Sequence, residues 1–408
     1  MVVKSKPERE SRSPHSASID TTSPSASSSD RFEALDSLRG ICACLVVLFH
    51  FTGNGWIAAN SLIGNGGKFV DFFFVLSGFV IAASYGERLR QGYPLGRFLF
   101  LRLGRIYPLH VFVLAIFVLL ELAGLAFPLL IERAAFSGSR SLSALPENLL
   151  LLQTFDLTSG LTWNAPAWSI AAEWWAYLLF GLALSWGRKR ALLVVAVITL
   201  ASAAWLATTP GFLIHASDWG CVTGFYGFGA GVLGRYAYSA FGLGCQAGWA
   251  RGTAVEIAVA LLVILAATQL TLPMTMLLPL VFVAAVIIFA NESGILSRLL
   301  RTSPMKWLGT LSYSIYLIHV LVQGRLLDVV RFAGSRWGFD WVAQQPNGAK
   351  TLVAPPLVTD ALTVLMLVLV IAAAALTYRF VEAPARTWSR SRAGIPRVST
   401  TPRAISRT

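Results

Sequence analysis

Apolar runs of roughly 17 to 25 residues, the length needed to cross a bilayer core of about 30 Å as a helix, recur from residue 36 to residue 381. About ten can be counted, at 36–56, 69–86, 106–128, 164–186, 190–208, 219–240, 253–269, 272–291, 306–326 and 358–381. Hydrocarbon offers the backbone no water, so segments of this length satisfy their own amides as helices. The 408-residue chain is 55% hydrophobic and only 13% charged, which excludes a pair of ordinary soluble domains. The expected fold is an all-α, polytopic integral membrane helical bundle of about ten transmembrane helices.

Lys and Arg set the orientation, because positive loops stay cytoplasmic. With the N-terminus inside, the four inside loops hold 13 Lys and Arg and the five outside loops seven, while five precede Arg39 and seven lie from Arg379 onward. The expectation is therefore N-in and C-in, in the inner (cytoplasmic) membrane, with long outside loops at 129–163 and 327–357. The net charge of +13 falls at membrane edges, where it meets the anionic headgroups of the lipid bilayer; no nucleic acid partner is expected. Residues 1–31, rich in Ser, Pro and charge, are expected to be a disordered tail, 32–388 the membrane domain, and 389–408 a basic disordered tail. Cys42, Cys44, Cys221 and Cys245 show no metal spacing and read as small packing residues. No metal site is expected.

Ionisable groups inside a membrane are rare and are candidates for function. In "LDSLRGICACLVVLFHF" Arg39 and His50 are eleven residues apart, within about 20° of one helix face and about 16 Å apart along the axis. They read either as a functional stripe or as an interfacial anchor and an interhelical hydrogen bond. Asp71 opens the next span at the end where His50 is expected; it reads as a partner that orients the imidazole or as a charge at a helix start. Ser77 and Gly78 suit close helix packing. Arg97, Arg102 and Arg105 border the third span as phosphate ligands or as positive-inside anchors. Glu173 lies within "AWSIAAEWWAY", among tryptophans that suit an interfacial belt, and reads as inward-facing. Ser312, Tyr316 and His319 share one helix face and read as an inward stripe lining a polar cavity or as structural groups. Glu382, beside Arg379 and Arg386, reads as an ion-paired helix end without chemistry.

In order along the chain, "LDSLRG" with the Arg39/His50 pair, "VDFFFVLSGF", Arg102/Arg105 leading into "RIYP", "AWSIAAEWWAY", "LGTLSYSIYLIH" and "YRFVEAPAR" resemble acyltransferase family 3, integral-membrane enzymes that acylate sugars and other hydroxyl acceptors. The resemblance covers about residues 32 to 388. It implies that Arg39 and His50 are required for transfer and that Arg102 and Arg105 lie near an acyl-coenzyme A site, with acyl-CoA, acetyl-CoA by default, as co-substrate and no tightly bound cofactor. Asp71, Ser77, Gly78, Phe79 and Glu173 match further motif positions. On this reading His50 is the base, oriented by Asp71 or Glu173, the acceptor is a carbohydrate or another hydroxylated molecule, and protein partners are left open. The rival from another class is a multi-pass transporter whose pathway is the same polar stripe.

Overall fold

The computed structural model describes residues 32–127, 133–155, 157, 160–208, 220–244, 248–271, 274–345 and 350–395. The tail 1–31, most of the tail 389–408 and Cys245 therefore lie outside the described residues. Ten longer helices form the chain in order: α1 (Glu33–His50), α2 (Phe69–Ile81), α3 (Leu95–Ala126), α4 (Ala167–Leu184), α5 (Arg188–Thr208), α6 (Gly220–Ala240), α7 (Trp249–Gln269), α8 (Leu278–Phe289), α9 (Ser303–Trp337) and α10 (Pro356–Thr377). A shorter α11 (Ala383–Arg392) follows. Among the described residues one antiparallel strand pair, β1 (Val342–Gln344) with β2 (Lys350–Leu352), interrupts the all-α plan.

Six of these helices, α2, α3, α4, α5, α7 and α10, with their continuations, are long and apolar enough to cross a membrane. That is fewer than the ten spans expected. α1 carries three charges, Glu33, Asp36 and Arg39; α6 is diluted by six glycines between 220 and 234; α8 is twelve residues long. The 35-residue α9 is broken by polar residues throughout.

Local chemistry sets the helix ends. α9 starts after an extended Thr302 with proline in its first turn, and stops at Gly338, whose φ of 79° is a conformation that glycine reaches without strain; the Gly338 amide closes on the Gly334 carbonyl at 2.8 Å. Lys68 donates to the carbonyls of Ala267 and Leu270, 2.8 and 2.9 Å away, at the C-terminus of α7. Glu292 accepts from the Ala34 amide at 2.9 Å and pairs with Arg301 at 3.2 Å, tying the start of α1 to the segment before α9. Of the tryptophans expected in an interfacial belt, Trp163 is instead buried and donates to the Ser141 carbonyl. Cys42 and Cys221 are buried packing residues.

The central contact is α1 against α9. A Cβ on Gly40 would lie 2.7 Å from the backbone of Leu308 and Gly309, and one on Gly309 would overlap the Asp36 carbonyl. The two helices run in the same direction, since Gly309 faces Asp36, Ser312 faces Arg39, and His319 faces His50. The absence of side chains lets the backbones approach, the packing mode that membranes favour. α2 meets α6 the same way: Cβ atoms on Gly78 and Gly231 would overlap the carbonyls of Phe228 and Val75. Gly309→Ala is expected to lower stability by about 1–3 kcal/mol, the usual penalty for overpacking, read as a lower midpoint of thermal unfolding in detergent. Gly324→Ala on the same helix, where a Cβ meets nothing within 4 Å, is expected to leave that midpoint unchanged.

Candidate active site

α1, α2, α3, α4 and α9 enclose a cavity lined by Arg39, Ser77, Arg105, Glu173, Ser169, Ser312, Tyr313 and Tyr316, with Val70, Phe73, Phe74, Ile106 and Ile170 as its apolar wall. About 50 Å3 is open to the centre of a water-sized molecule. Since about 10–15 Å3 of such space admits one water, the room suits a few waters or a short organic group.

The polar groups are held in pairs. Arg39 Nε donates to Ser312 Oγ at 2.8 Å, and Ser312 Oγ donates to the Gly309 carbonyl at 2.8 Å. Ser77 donates to Glu173 Oε1 at 2.7 Å, and the Tyr177 hydroxyl donates to the same oxygen. Ser169 and Tyr316 share a hydrogen bond of 2.7 Å. The Tyr313 hydroxyl donates to the Ile106 carbonyl of α3. Arg39 and Arg105 both lie within electrostatic reach of Asp36, Glu173 and Glu382. Two guanidinium groups facing several carboxylates offset part of the cost of burying each charge.

A second polar group lies at the far end of α1. His50 Nδ1 is 2.9 Å from the Val46 carbonyl; a carbonyl only accepts, so Nδ1 carries a hydrogen and a neutral ring presents its lone pair at Nε2. His319 repeats this arrangement, with Nδ1 donating to the Tyr316 carbonyl at 2.5 Å and a buried Nε2 that has no hydrogen-bond partner. The two rings face one another with centroids 5.0 Å apart. Tyr316, with its ring 5.9 Å from that of His319, links this pair to the cavity.

The residues singled out in the sequence are thus distributed over the molecule. Arg39, Ser77, Arg105, Glu173 and Tyr316 meet in the cavity, and His50 and His319 pair beside it. Arg102 stands just outside, donating to the Tyr85 hydroxyl at 3.2 Å with its guanidinium 6.0 Å from the Tyr177 ring centre. Asp71 does not join His50: it occupies the first turn of α2, and its electrostatic neighbour is Tyr226 of α6. Gly78 and Phe79 serve packing. Glu382 keeps its expected ion pair, with Arg386 at 3.4 Å, and beyond it is buried, accepts from Ser314 at 2.7 Å and joins the charge cluster. Its inward aim comes from a π-helical stretch, Tyr378–Glu382, which no sequence period announces. Ser169, Tyr177 and Tyr313 were also unmarked, although Tyr177 lies one helical turn from Glu173.

A family model described as an acyltransferase domain matches residues 32–378. Protein 2 in the picA locus of Rhizobium radiobacter is 35% identical over 188 residues, 42% of this chain and 93% of that protein. Acyltransferase MdmB of Streptomyces mycarofaciens is 28% identical over 384 residues, 87% of this chain and 91% of its own length. No solved structure matches.

Glu173→Ala leaves the hydroxyls of the half-buried Ser77 and the buried Tyr177 without their acceptor. It is expected to cost about 2–4 kcal/mol, from two unsatisfied groups at roughly 1–3 kcal/mol each with partial relaxation; Glu173→Gln, which keeps an acceptor oxygen, is expected to cost less than half as much. Thermal unfolding of the two variants in one detergent checks the order.

Proposed function

The chain belongs to acyltransferase family 3, and from that premise we propose that it transfers an acyl group, acetyl first among them, from acyl-CoA to a hydroxyl of a carbohydrate or another small hydroxylated acceptor. It is a membrane enzyme by its apolar helices and its family. The proposed setting is the cytoplasmic membrane, with about ten spans and both termini inside.

The observation that carries the reading is the cavity in which Arg39, Arg105 and Glu173 converge beside a histidine whose Nε2 is left to act as a base. In the proposed reaction the acceptor hydroxyl oxygen attacks the thioester carbonyl carbon while its proton passes to His50 Nε2. Negative charge develops on the carbonyl oxygen beside His50, while Arg39, nearer the other end of α1, contributes positive charge to binding the donor. The carbon–sulfur bond then breaks, and the thiolate of coenzyme A recovers the proton from His50. Arg102 and Arg105 hold the phosphates of the donor by charge-assisted bonds. With the N-terminus inside, the Arg39 end of α1 faces the cytoplasm, where acyl-CoA is made. His50 then lies about 16 Å farther across the membrane, a separation that the flexible pantetheine arm is suited to bridge. The modest free volume of the cavity supports a short acyl group over a long chain.

Mass spectrometry of base-labile esters on envelope glycans and secreted metabolites tests this, in cells with the intact protein, with His50→Ala and with none. The expected result is an ester present only with the intact protein, both proteins being in the membrane at equal level. Equal esters in all three strains would refute the reading and direct attention to transport.

A further inference from the structure

The stretch from the end of α2 to the start of α3 holds a second cluster, of which the reaction just described uses only Arg102. Beyond α2 the helix continues through a π-helical turn, Ala82–Gly86, into Glu87–Arg90, and α3 begins at Leu95. Tyr85 and Tyr93 meet edge to face with centroids 5.9 Å apart. The Arg88 guanidinium lies 4.5 Å from the Tyr93 ring centre and 5.2 Å from that of Tyr85. Arg97 lies 5.6 Å from Tyr93, and Arg102 lies 5.0 Å from Tyr85.

Three guanidinium groups therefore converge on two phenol rings. None of the three makes an ion pair among the described residues; the nearby Glu87 is taken by Arg90. Nε of Arg97 and Nε of Arg102 are buried without a hydrogen-bond partner. Converging like charges repel, and desolvated guanidinium donors without acceptors are costly; an arrangement of this kind is stabilised when a polyanion supplies the missing acceptors. Aromatic rings with planar guanidiniums over them also offer faces on which a base stacks.

The cluster is continuous with the cavity. Arg102 touches both the Tyr85 hydroxyl and the Tyr177 ring, and the Tyr177 hydroxyl donates to Glu173, which lines the cavity. The path from the exposed Arg88 to the reacting centre thus runs through side chains in contact.

We propose that Arg88, Arg97 and Arg102, set on Tyr85 and Tyr93, form a binding site for the phosphorylated adenine nucleotide at the far end of the donor, so that the enzyme recognises the donor by its nucleotide as well as by its acyl group. The proposal rests on the acyl-CoA reading above and adds the residues that tell coenzyme A from a shorter pantetheine thioester. A phospholipid headgroup offers the same phosphate chemistry, and the test separates the two sources.

The experiment compares kcat/KM for acetyl-CoA with that for acetyl-pantetheine, which lacks the nucleotide, using the full chain in lipid nanodiscs. The proteins are wild type, Arg88→Ala, the double variant Arg88→Ala/Arg97→Ala, and Tyr93→Ala. Arg88 is exposed, so its replacement leaves the packing intact even where the other variants do not fold. The preference for acetyl-CoA is expected to fall about ten-fold in Arg88→Ala and further in the double variant, as for the loss of one and then two charge-assisted contacts. Binding of adenosine 3′,5′-bisphosphate to the same proteins is expected to weaken in parallel. An unchanged preference with acetyl-CoA still consumed overturns the nucleotide site and leaves the acyl-CoA reading standing; a wild type that neither turns over acetyl-CoA nor binds the bisphosphate overturns both. Weakened retention of phosphatidylglycerol in the variants, with bisphosphate binding unaltered, assigns the cluster to a lipid headgroup and likewise overturns the proposal.

Discussion

A guanidinium inside a helix bundle has to be answered by its neighbours, and the packing around Arg39 is arranged to do so. The close approach of α1 and α9 at Gly40 and Gly309 brings Ser312 to the Arg39 Nε. It also sets Asp36, Glu173 and Glu382 within electrostatic reach of the same charge. Without that approach Arg39 would be a desolvated cation facing lipid, which is expensive by any scale. The remaining polar groups follow from it. Glu173 is held by Ser77 and Tyr177, and Glu382 by Ser314, so two of the three carboxylates that balance the arginine are themselves fixed by hydroxyls.

The two polar centres lie along one pair of parallel helices. The first turns of α1 and α9 carry the charged cavity, and the later turns carry the facing imidazoles. Both histidines have their Nδ1 hydrogens engaged by carbonyls of their own helices, so their protonation geometry is set by secondary structure and not by a distant partner. Asp71 lies apart from His50, with Tyr226 of α6 as its electrostatic neighbour.

Much of this was legible in the chain because membrane economy makes ionisable residues conspicuous. Arg39, Glu173, Arg105 and Tyr316 stood out by their chemistry against apolar surroundings, and helical spacing placed Ser312 on the face of Tyr316 and His319. What the spacing could not give was partnership between helices distant in sequence. Asp71 and His50 were matched by depth alone, and depth says nothing of rotation about the helix axis; α2 turns Asp71 toward α6. Glu382 escaped because its direction depends on a local change of helical period. The number of membrane-crossing helices was harder still, since α1, α6 and α9 dilute their apolar character with the charges, glycines and hydroxyls that build the site and its contacts.

The two π-helical turns, Ala82–Gly86 and Tyr378–Glu382, each place one extra residue in a turn of an otherwise continuous helix. One extra residue rotates everything beyond it by roughly 100° relative to an unbroken α-helix, so each turn acts as a phase shifter between two faces of the same rod. On the side before the shift, α2 and α10 address the bundle; after it, Arg88 meets Tyr85 and Tyr93, and α11 lays Trp388 against Phe100 and Ser389 against Gly104. Lineages that differ by a single-residue deletion in either turn would therefore not merely lose a side chain. They would present a different set of residues along the whole segment beyond it, so a deletion in these two short stretches re-aims an entire segment where a substitution alters one side chain.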